Sequence, residues 1–253
     1  MATSNSTAGV ASFEIGLAIL AAFDRETPQL TLSEIADRCG ITRFAARRYL
    51  ASLIRLGYAE CDGKRYTLTH RVLRMGSVFI SSSKFVARMQ PLLHQLTADV
   101  GESSYLCVRD GYQTVVVAKA TANRLTNRSH ALGAHFPMFV TSAGLCIAAL
   151  LPDSEALQLL KDYRPLPYTS GTLLNPMDIH AQLELARQRA YAVSERQLDD
   201  LVRGIAVPLA NRVGQFVGAI SLNMFIGDES EVSAVNRMLP ALRRTADAAL
   251  QVL

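Results

Sequence analysis

A short stretch of the chain carries arginines at spacings that suit contact with a polyanion. Arg43 and Arg47 are four residues apart, so on a helix they share one face, and Arg48 flanks that face. A guanidinium can grip guanine O6 and N7, or a phosphate, through two parallel hydrogen bonds. The spacing leaves open which arginine would read a base, although Arg48 lies nearest the apolar stripe and suits a structural or phosphate-binding role. A solvated helix face is the plain alternative.

Further residues near these arginines could contact a nucleic acid. Phe44 could touch a thymine methyl group or pack against a neighbouring hairpin. Ser33 and Thr42 are hydroxyls at expected helix starts, where phosphates often dock, but each is explained equally well as a helix cap. Lys64 and Arg65 stand at the tip of an expected hairpin, where they would reach phosphate or the minor groove.

The elements that must position these side chains can be derived from local signals. Helical periodicity runs from Phe13 to Phe23, and Thr31 with Glu34 forms a capping box for a second helix. A third helix is expected from Thr42 to Leu56, followed by a hairpin around Asp62-Gly63. Three helices and a hairpin in this order predict a winged helix-turn-helix, and an ordinary helical hairpin is the alternative.

The remaining sequence predicts a linker helix and a second domain. We expect a disordered leader at 1–11, the winged helix-turn-helix at 12–70, the linker helix at 71–84 with its apolar residues inward, and a second domain at 85–253. Strands are expected at Tyr105–Val108, Thr114–Ala118, Leu125–Leu132, Gly204–Leu209 and Phe216–Asn223. Helices are expected at Phe85–Val100 with a break at Pro91, Ser142–Leu150, Ser154–Lys161, Asp178–Ala190 and Ser230–Val252. This alternation indicates an α+β or α/β domain.

Composition narrows the class of protein. The formal charge of the 253-residue chain is only +4, so the basic stretch is a local feature. No apolar run approaches the roughly 18 residues of a membrane span, and the polar N-terminus does not resemble a signal peptide. The four cysteines are widely spaced and the five histidines lack metal-ligand spacing, so we expect no metal and no cofactor. A cytoplasmic protein with reduced thiols is expected.

An enzyme is the rival class. Ser142 lies in Thr-Ser-Ala-Gly, which is not the Gly-x-Ser-x-Gly elbow of hydrolases. Cys107 or Cys146 could pair with His135, but a chain of this size offers many such pairs. A ligand-binding adaptor that does not bind DNA is the third class, and it leaves the three arginines without a purpose. We therefore expect no catalytic residues.

A ligand site is expected where the helix beginning at Ser142 starts. With Thr141 or Ser142 as its cap, this helix presents free N–H groups and a partial positive charge, which suit a carboxylate. Tyr105 and Cys107 share one strand face, as do Ser221 and Asn223. The first pair is explained equally well as core.

Several motifs together resemble a known family. They are Ile41-Thr42-Arg43-Phe44-Ala45-Ala46-Arg47-Arg48-Tyr49-Leu50, Leu56-Gly57-Tyr58, Leu68-Thr69-His70-Arg71-Val72-Leu73, Gly133-Ala134-His135-Phe136-Pro137, Thr141-Ser142-Ala143-Gly144, Ile205-Ala206-Val207-Pro208 and Ala219-Ile220-Ser221-Leu222-Asn223. From about Ser12 onward the chain resembles the IclR family of bacterial transcription regulators. It is most similar to the branch that controls protocatechuate, p-hydroxybenzoate and β-ketoadipate pathway genes.

The resemblance implies more than the residues alone predict. It implies that residues 85–253 form a GAF-like effector-binding and oligomerisation domain. The same resemblance implies a homodimer formed through the N-terminal domains or a dimer of dimers, double-stranded DNA with a palindromic operator as the partner, and no membrane partner. It also implies a small organic acid effector, an aromatic acid or a catabolite of one, that controls catabolic genes. An effector would act by changing how the C-terminal domains pair, and the linker helix would transmit that change.

The effector site that the resemblance implies is made of residues carried over by motif. They are Phe136, Ala143, Ser194, Gly204, Ser221 and Asn223, beside Ser142. Arg128 precedes them on an expected strand, where it would pair with a carboxylate or face solvent. The chain departs from the family pattern at Leu145, where the family often has Arg or Lys, and at Gln197 and Leu201, where it often has an acidic residue and a glycine.

Overall fold

The chain forms two compact units, Met1–Phe79 and Ile80–Leu253. A computed structural model describes residues 9–24, 27–123, 130–211, 213 and 215–252. The first unit contains helices α1 (Ala11–Ala21), α2 (Leu32–Arg38) and α3 (Arg43–Arg55), and strands β1 (Gln29–Thr31), β2 (Ala59–Cys61) and β3 (Arg65–Leu68). Residues 1–8 of the expected leader lie outside the described residues, and α1 begins at Ala11.

Local signals start the two helices of the helix-turn-helix. Thr31 caps α2 in a complete capping box, and the hydrogen bond from its backbone N–H lowers the pKa of Glu34. Thr42 caps α3 by accepting the N–H of Ala45 at 3.2 Å. Gly57, with φ of +78°, follows the end of α3, as expected for a residue beyond a helix terminus. The core of this unit contains Ile19, Leu30, Ile35, Ala46 and Leu50.

The small sheet of this unit has the order β1-β3-β2. The hairpin of β2 and β3 confirms the expected turn, with Asp62 and Gly63 between its strands. Strand β1 was not expected, because Thr27 to Leu30 reads as a break between helices. It exists through pairing with a distant segment, in which Leu30 lies opposite Tyr66. A strand of three residues is too short to show alternation in the sequence.

The segment after β3 forms a 3₁₀ turn at His70–Val72, then α4 (Leu73–Ser82), and Ser83 separates α4 from α5 (Lys84–Val100). The expectation that the apolar residues of α4 point inward is wrong, since no residue of α4 is buried. The periodicity of a helix shows that one face is apolar, but not what covers it. The expected break at Pro91 is also wrong, because α5 continues through this exposed proline.

The second unit is built on an antiparallel sheet of six strands in the order β6-β5-β4-β9-β8-β7. Its strands are β4 (Ser103–Asp110), β5 (Gln113–Ala120), β6 (His135–Pro137), β7 (Ala192–Glu195), β8 (Val202–Ala210) and β9 (Phe216–Phe225). Its further helices are α6 (Ser142–Ala149), α7 (Asp153–Asp162), α8 (Pro176–Arg189) and α9 (Glu231–Val252). The sequence left open whether this domain is α+β or α/β, and the antiparallel pairing of its strands shows that it is α+β.

The sheet separates two apolar layers. Leu106, Ile205 and Ile220 pack on the side of α5 and α9, whereas Tyr105 and Ala206 pack on the side of α6 and α8. Alternate residues of one strand therefore face different helices. We call the second side the α6 face. In the described part of the chain, no helix is long and apolar enough to cross a membrane.

Two edge strands differ from the expectation. Of the predicted strand Leu125–Leu132, residues 125–129 lie outside the described residues, and His130, Ala131 and Leu132 are not in a strand. The edge strand is instead β6, which pairs with β5 through Phe136 opposite Thr114. The other edge strand, β7, was not expected either. Both are short, and their extended form comes from pairing rather than from a local pattern.

Candidate nucleic-acid interface and ligand site

The exposed face of α3 carries the arginines that the sequence singled out. Arg43, Arg47 and Arg48 are all exposed, and Phe44 between them is 75% exposed. Among the residues that the structure describes, none of the three arginines has a salt-bridge partner. The face therefore offers three exposed cations and one apolar ring to a partner.

The two hydroxyls at the helix starts differ in position. Thr42 is the N-cap of α3 and stays exposed, so its hydroxyl can accept the N–H of Ala45 and donate its own proton elsewhere. Ser33 is not a cap, because Thr31 fills that position, and it lies half-buried in the first turn of α2. Both lie at helix N-termini, where the backbone carries partial positive charge.

The hairpin turn is held by Asp62, whose carboxylate accepts the N–H groups of Lys64 at 3.0 Å and Arg65 at 2.8 Å. These backbone hydrogen bonds lower the pKa of Asp62. Lys64 and Arg65 are both exposed, and the guanidinium of Arg65 also donates a hydrogen bond to the carbonyl of Gln29 at 3.4 Å. Burial raises the pKa of Tyr66 on β3, and the nearby charge of Arg47 opposes that rise. The hairpin strand thus lies beside the arginine face of α3.

The ligand site expected in the second unit centres on the start of α6. Thr141 is its N-cap and accepts the N–H of Gly144 at 3.1 Å. Within the described residues, this leaves the N–H groups of Ser142 and Ala143 without a helical partner. Both residues are buried. A helix start with two free N–H groups in a buried position suits an anion.

Predicted residues from three elements meet at this helix start. A methyl carbon placed on Gly204 would lie 2.7 Å from Ser142 Oγ and 3.1 Å from Asn223 Oδ1. Gly204 pairs with Asn223 on one side and with Ser194 on the other. A side chain at this position would press against the two polar groups, so glycine lets both lie close to the strand.

A second row of side chains crosses the same α6 face. Ser221 pairs with Tyr105, and Tyr105 pairs with Lys119 of β5. The Ser221 hydroxyl opposes the rise that burial causes in the pKa of the Cys107 thiol, so the two groups lie close together. Ser221 and Asn223 are two residues apart on β9 and therefore share the α6 face, as expected.

Aromatic rings extend this face toward the edge strand. Phe136 of β6 meets the His130 ring edge-on at 4.4 Å between centroids, and His130 meets Tyr105 at 5.3 Å. Lys119 donates to the His130 carbonyl at 2.8 Å. Sequence reasoning missed His130 and Lys119, since their proximity depends on strand register. The predicted Arg128 lies outside the described residues.

The buried thiols of this unit are not nucleophiles. Burial raises the pKa of both Cys107 and Cys146 to about 12, so both stay protonated at neutral pH. His135 is exposed and contacts Asp110 at 3.0 Å. No group of histidine, cysteine and acidic residues in the described ranges could hold a metal ion.

Comparison with known families covers both units. Residues 12–63 match the IclR helix-turn-helix domain, and residues 78–250 match the C-terminal domain of bacterial transcriptional regulators of the IclR type. The chain belongs to the IclR family. It is therefore a DNA-binding transcriptional regulator, and the prediction that it is not an enzyme is confirmed by its named relatives.

Relatives of known role extend along most of the chain. The Pca regulon regulatory protein of Pseudomonas putida is 31% identical over 90% of this chain and 78% of its own length. The p-hydroxybenzoate hydroxylase transcriptional activator of Acinetobacter baylyi is 30% identical over 94% of this chain and 90% of its own length. The predicted likeness to this branch of the IclR family is confirmed.

Solved IclR structures share the fold. A regulator from Alicyclobacillus acidocaldarius aligns with a TM-score of 0.81 and 22% identity over 97% of this chain and 99% of its own. An IclR homologue from Microbacterium hydrocarbonoxydans, complexed with 4-hydroxybenzoate, aligns with a TM-score of 0.74 and 18% identity over 96% of this chain and all of its own.

The departures from the IclR pattern have local explanations. Leu145 is buried in the core between α6 and the sheet, where a charged side chain would lack a partner. Gln197 joins two loops, since its side-chain oxygen accepts the N–H of Leu173 at 2.9 Å and its carbonyl accepts the hydroxyl of Thr172 at 2.6 Å. Leu201 is exposed, and its N–H binds the Asp199 carboxylate at 3.0 Å.

Proposed function

We propose that this regulator binds a palindromic operator as a homodimer or dimer of dimers and responds to an aromatic acid held on the α6 face of its large sheet. The observation that carries the proposal is the meeting of Ser142, Gly204 and Asn223 at the free N–H groups of α6. A carboxylate fits these groups. The cytoplasm is the proposed location, because the operator of a bacterial regulator is reached there.

The DNA contacts are assigned to α3 and the hairpin. Arg43 and Arg47 would enter the major groove, with Phe44 beside them and Arg48 on a flanking phosphate. The hydroxyls of Ser33 and Thr42 and the cations of Lys64 and Arg65 would contact the DNA backbone. Because Arg43, Arg47 and Arg48 have no salt-bridge partner among the described residues, DNA binding breaks no ion pair with any of those residues.

Exposed apolar faces of the first unit support self-association. Phe13 and Leu17 of α1, and Leu73 and Val78 of α4, are all exposed. Such side chains in one small unit are typical of a surface that another molecule covers. A second copy of this chain is the proposed partner, and a palindromic operator follows from the two-fold symmetry of such a dimer.

The aromatic class of the effector rests on the rings beside the helix start and on the relatives. Phe136 and His130 would pack against a ring whose carboxylate lies at Ser142 and Ala143. One relative is named as the transcriptional activator of p-hydroxybenzoate hydroxylase, and one structural neighbour holds 4-hydroxybenzoate. Ser194 and Ser221 would complete the wall of the site through their register with Gly204 and Tyr105.

Coupling between the two activities is proposed to pass through α4. The boundary between the compact units falls inside this helix, after Phe79. An effector that binds one pairing of the C-terminal units more tightly than another shifts the population toward it. The spacing of the DNA-reading helices would then change with that population.

The DNA-binding part of the proposal is tested by selecting, from a pool of random DNA duplexes, those that the purified full chain binds. Mobility-shift assays then measure the affinity for the selected sequences. We expect an inverted repeat, bound less tightly as salt rises. Arg43→Ala plus Arg47→Ala should lower affinity about 100-fold, since each lost base contact costs about 1–3 kcal/mol. The control, Arg164→Ala plus Arg244→Ala, removes the same charge from exposed positions of the second unit. Equal binding by the two double variants would contradict the assignment.

The effector part of the proposal uses the same preparation. A thermal-shift series with benzoate, 4-hydroxybenzoate, 3,4-dihydroxybenzoate and adipate is expected to stabilise the chain with the aromatic acids only, because only these can pack on the rings. The bound acid should also change the mobility of the operator complex. Stabilisation by adipate alone would contradict the aromatic class and leave the DNA assignment intact.

A further inference from the structure

The hydroxyl of Tyr105 is buried and has no hydrogen-bond partner among the residues that the structure describes. The whole side chain is only 1% exposed. Leaving a buried hydroxyl unpaired costs about 1–3 kcal/mol, so such groups are rare in folded proteins unless something else supplies the partner. Among the described residues, the Tyr163 hydroxyl is likewise buried without a partner, and the Tyr163 ring packs on Phe139.

The position of Tyr105 relates its hydroxyl to the proposed ligand site. Tyr105 lies opposite Ser221 on the neighbouring strand β9. Ser103, two residues before Tyr105 on β4, lies opposite Asn223. The side chains of Asn223 and Ser142 both lie next to Gly204. Tyr105 is therefore one strand and two residues from Asn223, on the same α6 face. With about 4.8 Å between strands and about 3.3 Å per residue, this separation is similar to the length of one substituted ring.

Aromatic rings lie beside Tyr105 on the side of the edge strand. Tyr105 contacts the His130 ring, which contacts the Phe136 ring. These rings favour the edge or face of another aromatic group. The carbonyl of His130 is occupied by the Lys119 ammonium, so the backbone at this point is fixed by a charge-assisted hydrogen bond.

We propose that Tyr105 determines effector specificity by forming a hydrogen bond, through its hydroxyl, with a hydroxyl at the 4-position of the aromatic acid. This rests on the proposed function, in which the carboxylate lies at the start of α6. A 4-hydroxyl is at the opposite end of the ring from the carboxylate, on the side where Tyr105 lies. An acid without that group leaves the Tyr105 hydroxyl unpaired, which is how a polar site rejects an analogue.

The experiment is calorimetric titration of the full chain with 4-hydroxybenzoate, benzoate and 4-methylbenzoate. The wild type should prefer 4-hydroxybenzoate at least about tenfold over both others, as expected for one buried hydrogen bond. Tyr105→Phe should bind benzoate as well as the wild type does and lose the preference for the 4-hydroxyl. Tyr163→Phe is the matched control, since it removes the other unpaired buried hydroxyl, and it should keep the preference.

The outcomes separate the two proposals. If the wild type binds none of the three acids, the proposed aromatic effector site fails. If the wild type binds 4-hydroxybenzoate and 4-methylbenzoate equally, or if Tyr105→Phe keeps the preference, the role of Tyr105 is overturned while the site stands. The comparison of the two acids on the wild type needs no variant, so it remains decisive even if Tyr105→Phe does not fold.

Discussion

The two candidate sites of this regulator are built in opposite ways. The arginine face belongs to one helix, α3, and its side chains are exposed without salt-bridge partners among the described residues. The ligand site brings Ser142, Gly204 and Asn223 together from three elements, and its residues are mostly buried. A site on one helix depends on that helix alone, whereas a site made by strand register depends on the whole sheet.

This difference determines what substitutions should do. Exposed arginines can be removed with little change in the free energy of unfolding, typically within about 0.5 kcal/mol. Changes near the start of α6 act on a close-packed interior, where an added or lost atom affects stability as well as binding. Three substitutions sharpen this contrast, and their expected effects decrease from the first to the third.

Gly144→Ala should have the largest effect. A methyl carbon at Gly144 would lie 1.9 Å from the Met138 carbonyl oxygen and 2.6 Å from its carbon, so the backbone of the preceding 3₁₀ turn would have to move. We expect a loss of about 3 kcal/mol in the free energy of unfolding, at the upper end of overpacked substitutions. Urea unfolding followed by circular dichroism measures it.

The same substitution at Gly76 of α4 is the control. Nothing lies within 4 Å of a methyl carbon there, and alanine favours a helix over glycine by about 1 kcal/mol. Gly76→Ala should therefore be as stable as the wild type or more stable. A Gly144→Ala chain with unchanged stability would show that α6 does not approach Met138 this closely.

Gly204→Ala should have an intermediate effect, on binding rather than on folding. The new methyl group would meet the ends of two flexible side chains, Ser142 Oγ and Asn223 Oδ1, which can turn away without moving the backbone. We expect a folded chain whose affinity for the acid effector is about tenfold lower, or about 1.4 kcal/mol. Calorimetric titration with 4-hydroxybenzoate measures the change.

A double-mutant cycle identifies the cause. If Gly204→Ala acts by displacing the Ser142 hydroxyl, it should add little on a Ser142→Ala background. Operator affinity without effector should stay unchanged in all three variants, because α3 does not contribute to this site. Additive losses in the cycle would mean that Gly204 affects the ligand by another route.

The sequence predicted the elements that depend on local signals and missed those that depend on pairing between distant strands. The capping box of Thr31 and Glu34, the cap at Thr42 and the turn at Asp62-Gly63 are local signals, and the structure has all of them. Strands β1, β6 and β7 were missed because their extended form is fixed by partners far along the chain. The exposed face of α4 was misread because periodicity does not identify the covering surface.

The same holds for the candidate sites. The position of the three arginines on an exposed part of α3 could be predicted from their spacing alone. The grouping of Ser142, Gly204 and Asn223 was expected only through family motifs, and the structure brings the three together. The unpaired hydroxyl of Tyr105 gave no signal in the sequence, since a tyrosine in a β-rich run reads as core.

Thr42→Ala should have the smallest effect, and it tests whether one residue serves both folding and DNA binding. Loss of the cap should cost about 1 kcal/mol of stability. The lost hydroxyl should also lower operator affinity about fivefold, because the proton that Thr42 does not use on Ala45 is proposed to bind a phosphate. Thr42→Ser keeps the hydroxyl and should restore both. The control Thr31→Ala removes the cap of α2 and should lower stability without lowering operator affinity. If the two alanine variants lose the same operator affinity, Thr42 acts only as a helix cap and not as a phosphate contact.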